Sequence, residues 1–228
     1  MSSFEIKIIA ILAMIVDHIG LYFFPNLILL RVVGRLSFPL FAWLIANGAY
    51  YTHDINKYLW RLLVFAFMSQ VPVTLTLLQI LLPFHLNVLF TLFLGLLAIK
   101  IIKQNDNKLI WVLASLSCAL SAIIINTEYG AAGVLSIVAF YLFFNNPKPM
   151  FLSQVLVLTI VPTVLILLPS YLGLKQEGDI LSYLNILGLF AFVFIFSYNK
   201  KQGPKTKYLF YVFYPLQYMV IFLLKTLF

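Results

Sequence analysis

Nine stretches of this chain are long and apolar enough to cross a bilayer, and together they leave little sequence for anything else. They cover residues 6–24, 29–49, 58–81, 86–102, 108–126, 129–145, 150–169, 180–198 and 208–227. A membrane helix needs about 17–25 mostly apolar residues. Continuous apolar runs exclude an outer-membrane barrel, whose strands alternate apolar and polar positions. Composition agrees: of 228 residues, 63% are hydrophobic and 10% charged, against about 45–50% and about 25% in soluble domains. The sequence therefore predicts an all-α fold, a polytopic transmembrane bundle forming one domain over 1–228, with the lipid bilayer as its main partner. The weakest run is 129–145, short and rich in small residues. The N-terminal run has no small-residue cleavage site after it, which predicts a retained first helix rather than a signal peptide.

The formal net charge is +8, and in so apolar a chain its placement reports topology rather than a nucleic-acid partner. With the N-terminus and every second loop on one side, that side collects eleven of the 15 Lys and Arg residues, among them Lys7, Lys57, Arg61, Lys103, Lys148, Lys200, Lys205 and Lys207. The other side has Arg31, Arg35, Lys175 and Lys225. Cytoplasmic loops carry the Lys and Arg excess, so the N-terminus is predicted inside and, after nine crossings, the C-terminus outside.

Charged groups within the first two spans then stand out. Asp17 and His18 lie past the middle of span one, and Arg31 and Arg35 in the first turns of span two, all toward the outer face. An ionised side chain in hydrocarbon costs from roughly 3 to over 10 kcal/mol, so such residues are paired or line a polar cavity. Ala10, Ala13, Asp17 and Gly20 share one small-residue helix face, where a neighbour can approach closely. Asp17 is expected to pair there with an arginine. His18, turned about 100° round the helix, is expected to face a cavity. Arg31 and Arg35, at i and i+4, share a face and could hold Asp17 or an anionic ligand bidentately. Pro39 is expected to kink the second span.

The other polar positions are weaker signals. Asn87, Thr91 and Gly95 form a stripe on span four, and stripes of this kind commonly pack helices. Arg61 and Lys57 lie near the cytoplasmic end of span three, where they could meet a phosphate-bearing ligand. Tyr214 and Gln217 flank Pro215 in the last span. The lone cysteine, Cys118, sits in an apolar run as a small packing residue. Walker, GxSxG and HExxH motifs are absent, and the three histidines have no metal-ligand spacing, so no metal site is predicted.

Several blocks in order complete the pattern: MxxDHIG (Met14 to Gly20), RxxGRxxFPxF (Arg31 to Phe41), Gly48, Arg61-Leu62, NxxxTxxxG (Asn87 to Gly95), YGxxGVL (Tyr129 to Leu135) and KYxxYxFYP (Lys207 to Pro215). With these the chain resembles, over nearly its whole length, the TraX family of bacterial membrane proteins, named for the F-pilin acetylation protein. The resemblance implies an acyltransferase of the bacterial cytoplasmic membrane, acetyl-CoA as donor, and an acceptor such as a pilin N-terminus or a surface glycan. On that basis His18, Asp17 and Arg35 are the catalytic candidates, Arg31, Asn87, Tyr214 and Gln217 the substrate-binding ones, and Arg61 with Lys57 the donor-binding ones. A histidine is expected after FYP, where this chain has Gln217. Two other classes fit the same residues: a small proton-coupled transporter or flippase, and a non-catalytic assembly factor for surface appendages.

Overall fold

The computed structural model describes residues 1–79, 84–171, 180–204 and 208–227. Among these every regular element is helical: α1 (Ser3–Tyr22), α2 (Ile28–Gly34), α3 (Ser37–Tyr51), α4 (Ile55–Gln79), α5 (Val88–Lys103), α6 (Lys108–Ile124), α7 (Gly130–Leu142), α8 (Pro147–Tyr171), a 3₁₀ segment (Ile180–Ala191) continuing into α9 (Phe192–Phe196), and α10 (Leu209–Leu227). Each predicted apolar run coincides with one of these stretches. The fold is an all-α membrane bundle. Among the described residues four stretches satisfy length and apolarity for a full crossing: Ile28–Tyr51, Ile55–Leu78, Pro147–Val164 and Leu209–Leu227. The predicted Lys175, Lys205 and Lys207 lie outside the described residues.

Packing follows the logic of lipid rather than water. On α6 the large side chains Leu113, Leu116, Leu120 and Ile124 point outward, while Ala114, Cys118, Ala119 and Ala122 are buried. Lipid tails solvate leucine as well as a protein core does, so helices associate through close backbone approach at small residues. The face predicted on α1 behaves the same way: Ala10 is fully buried, Ala13 nearly so, and Leu12 faces out.

Contacts divide the chain into two compact units, Met1–Asn47 with Leu135–Gly203, and Gly48–Val134 with Pro204–Phe228. In the first, α1 packs on α2, and the 3₁₀ segment on α8 and α9. A dry polar bond ties α7 to α8: the Ser136 hydroxyl donates to Gln154 Oε1 (2.6 Å) and Gln154 Nε2 donates to the Ser136 carbonyl (3.0 Å). Both side chains are fully buried, and a buried amide left unbonded would cost about 1–3 kcal/mol. In the second unit, α4 packs on α10 and α5, and α5 on α6. The Thr76 hydroxyl, one turn beyond Pro72 in α4, lies within reach of the carbonyls of Pro72 (2.8 Å) and Tyr218 (3.2 Å).

Loop pairings match the alternation derived from the charges. In the first unit Ser3 and Phe4 donate their backbone N–H groups to the carbonyls of Lys201 and Gln202, so the segment after α9 caps the start of α1. Gly203, at φ 74°, touches this turn; a Cβ there would lie 2.8 Å from Phe4 Cβ. In the second unit Lys103 Nζ donates to the Ala49 and Thr52 carbonyls, joining the α3–α4 and α5–α6 connections. At the other end Leu86 and Thr127 form an isolated β-bridge, with Leu86 N–H donating to Asn126 (2.9 Å) and Glu128 N–H to Leu86 (2.8 Å). Each pair is separated by an even number of predicted spans, as alternation requires.

The second span is not one kinked helix. It stops at Gly34 and restarts at Ser37, and Pro39 sits in the first turn of α3, where a missing N–H is tolerated. The carbonyl Pro39 cannot serve is that of Arg35, its i−4 neighbour. Gly188 of the 3₁₀ segment packs against this break; a Cβ there would come 2.8 Å from Pro39 Cγ and 2.9 Å from the Arg35 oxygen.

Two expectations follow. Gly188→Ala forces backbone apart and lowers stability by about 1–3 kcal/mol, read as a fall in the unfolding temperature in detergent. In a Cys118→Ser background, cysteine at His53 is labelled by impermeant maleimide only from the cytoplasmic side and cysteine at Phe84 only from the outer side; labelling of both from one side defeats the topology.

Candidate functional site

The α1–α2 contact brings together three of the charges singled out in the sequence. Arg31 Nη1 donates to Asp17 Oδ2 at 2.6 Å and to the Asp17 carbonyl at 3.2 Å. Arg35 Nη2 stands 3.7 Å from Asp17 Oδ1, an ion pair beyond hydrogen-bond length. The three side chains are 16%, 12% and 10% exposed for Asp17, Arg31 and Arg35. Two glycines make the approach possible. A Cβ at Gly34 would overlap the Asp17 carboxylate, and one at Gly20 would come 2.8 Å from Leu30 Cβ. The expected pairing of Asp17 with an arginine is thus present, and both arginines take part.

Arg35 has a further partner that sequence reasoning missed. Its Nη1 donates to Asn185 Oδ1 at 3.1 Å, 150 residues away in the chain. No local pattern marks Asn185; its one signal is that of a lone amide in the apolar run 180–198.

His18 departs from expectation. It does not face an open cavity: it is 6% exposed and lies edge-on to Tyr22, one turn along α1, with ring centroids 6.1 Å apart. A cavity of about 190 Å³ in the same unit is lined by Trp43, Phe144, Met150, Tyr198 and Lys200 among others, and by none of the predicted site residues.

The remaining candidates belong to the second unit. Asn87 is fully buried and every polar atom of its side chain is used. Its Nδ2 donates to the Ala66 carbonyl (2.8 Å) and to Gln70 Oε1 (2.8 Å), and its Oδ1 accepts from Leu89 N–H (3.0 Å) as the N-cap of α5. In this arrangement it latches α5 to α4 and offers no atom to a substrate. Thr91, on the same stripe, donates to the Glu128 carbonyl. Tyr214 is buried edge-on to Tyr218, with Gln217 half-buried one turn beyond on α10.

The two donor-binding candidates do not share a surroundings. Lys57 is largely exposed and pairs with Asp54 at 3.0 Å. Asp54, in the loop before α4, is held below the usual carboxylate range by the Lys57 backbone N–H and then by the Lys57 ammonium. Arg61 is part-buried over the Tyr58 ring, 5.8 Å from its centroid.

Comparison with known proteins decides the family. The family described as "TraX protein" matches residues 2–225. The chain belongs to the TraX family. Among curated relatives, it is 29% identical over 241 residues to the "Probable fimbrial assembly protein FimC, serogroup H1" of Dichelobacter nodosus, covering 94% of this chain and 91% of that protein. It is 31% identical over 90 residues to an uncharacterized protein of Rickettsia prowazekii (strain Madrid E), covering 40% of this chain and 33% of that one. No solved structure gives a significant match. The MxxDHIG and RxxGRxxFPxF blocks of the TraX resemblance supply Asp17, Arg31 and Arg35, the three residues of the cluster.

Because Asp17 is buried, removing Arg31 leaves a carboxylate short of its main partner. Arg31→Ala is expected to cost about 3–5 kcal/mol. Adding Asp17→Asn to Arg31→Ala should return much of that loss in a double-mutant cycle of thermal unfolding in detergent; additive losses would mean the pair is not coupled.

Proposed function

We propose that this TraX protein is an acyltransferase of the bacterial cytoplasmic membrane. It moves an acyl group, acetyl in the simplest case, from cytoplasmic acyl-CoA to an amine or hydroxyl of a pilin subunit or surface glycan at the outer half of the membrane. The observation that carries this reading is the buried, doubly cationic cluster around Asp17, next in sequence to His18, built by the MxxDHIG and RxxGRxxFPxF blocks on which the family resemblance rests. The fimbrial assembly name of the Dichelobacter relative supports an acceptor associated with surface appendages.

In this scheme His18 takes the proton from the acceptor N–H or O–H as the acceptor atom bonds to the thioester carbonyl carbon. The carbonyl oxygen becomes an oxyanion facing Arg35, whose positive charge lowers the barrier because it stands fixed before the reaction begins. The C–S bond then breaks, the carbonyl re-forms, and the CoA thiolate leaves with the proton held by His18. Asp17 and Arg31 do no bond chemistry; their ion pair fixes the α1–α2 geometry on which His18 and Arg35 depend.

The same fimbrial name also favours a second reading, a non-catalytic assembly factor. The two differ in their dependence on His18. Purified protein with labelled acetyl-CoA and a pilin or glycan acceptor should transfer label, and His18→Ala should lower the rate by about 10²–10⁴-fold, the range of a positioned acid–base. Wild-type transfer by His18→Ala removes His18 from the role. Absence of transfer, together with normal appendage assembly by His18→Ala cells, selects the assembly factor.

A further inference from the structure

We propose that Arg35 is the anion-binding guanidinium of the cluster, that Asn185 is the residue that positions it, and that the group it receives is a singly charged oxyanion on carbon. The two arginines are not equivalent. Arg31 spends Nη1 on both the carboxylate and the carbonyl of Asp17. Arg35 stands off the carboxylate at 3.7 Å and is steered by a neutral amide; the Nε atoms of both arginines are buried without a hydrogen-bond partner. Among the described residues the cluster has two guanidinium groups and one carboxylate, so one positive charge is uncompensated. A side chain nine-tenths buried carries such a charge only against a large desolvation penalty. An incoming anion would relieve that cost.

Asn185 suits this role by its chemistry and its placement. An amide orients a guanidinium without neutralising it, whereas a carboxylate in its place would cancel the surplus charge. It lies on a 3₁₀ segment, where residues three apart are eclipsed, so Asn185 and Gly188 share a face. Gly188 is the residue packed against Pro39 and the Arg35 carbonyl. One short face therefore grips Arg35 twice, by backbone at Gly188 and by side chain at Asn185. An α-helix would turn those two positions about 60° apart.

The identity of the anion rests on the acyl-transfer reading: it is the oxyanion formed at the thioester carbonyl or a carboxylate of the acceptor. The positioning itself does not depend on that reading. Asn185→Asp separates the proposal from a merely structural role, because aspartate keeps the bond to Arg35 while removing the surplus charge. Purified protein is unfolded thermally in sodium acetate and in sodium chloride at equal ionic strength, and transfer kcat and KM are measured in parallel. For a carboxylate ligand, acetate stabilises the wild type, Asn185→Ala weakens the effect, and Asn185→Asp abolishes it while unfolding no earlier than Asn185→Ala in chloride. For a reaction oxyanion, acetate has no effect, and kcat falls at least about tenfold further in Asn185→Asp than in Asn185→Ala. Acetate stabilisation lost in Asn185→Asp from a protein that transfers nothing upholds the anion site and refutes acyl transfer. Asn185→Asp matching or exceeding Asn185→Ala in both readouts overturns the proposal, as does a wild type with neither acetate stabilisation nor transfer.

Discussion

A carboxylate buried against two guanidinium groups sets the terms for the first two spans. Neither Asp17 nor the arginines can sit in an apolar bundle alone, because the desolvation of each ion exceeds what surrounding side chains return. The 2.6 Å bond between Asp17 and Arg31 therefore acts on the backbone as well as on the side chains. It demands that α1 and α2 approach closely, and Gly20 and Gly34 are the positions where the absence of a side chain allows it. The break between α2 and α3 follows at once, with Arg35 at the last turn before the chain restarts at Ser37.

Elsewhere the bundle meets the same constraint with neutral groups. Ser136 with Gln154 and Asn87 with Gln70 are closed polar pairs with no net charge. They cost little to bury once bonded and join helices that apolar contacts alone would hold without register. The difference between these latches and the Asp17 cluster is chemical. The latches are fully satisfied, while the cluster has two guanidinium groups to one carboxylate among the described residues and leaves the Nε of each arginine unbonded. That charge imbalance, rather than polarity as such, sets the cluster apart from the neutral latches.

Much of the architecture was legible in the sequence because apolar length is a one-dimensional property. Each helical stretch could be located from its run of residues, and the alternation of loops from the Lys and Arg residues between them. Asp17, Arg31 and Arg35 were also legible, since an ion in hydrocarbon must find a counter-ion and only the adjacent span offered cations at the matching level. The environment of His18 was misjudged for a related reason: periodicity shows which way a residue points but not whether that direction ends in a cavity or against Tyr22. Asn87 entered the substrate-binding set only through the family resemblance; its stripe by itself reads as helix packing, and in the structure it caps α5 and bonds to α4.

The sequence by itself determined that this chain is a helical membrane protein of the TraX kind, with a charged pair of spans at its start. Only the tertiary structure decided how those charges are divided. The 3₁₀ register of Ile180–Ala191 aligns Asn185 with Gly188, and their shared face meets Arg35 from 150 residues away. Hydrogen-bond partners so distant are chosen by packing. No local propensity encodes which arginine is locked to Asp17 and which is held apart from it with charge to spare.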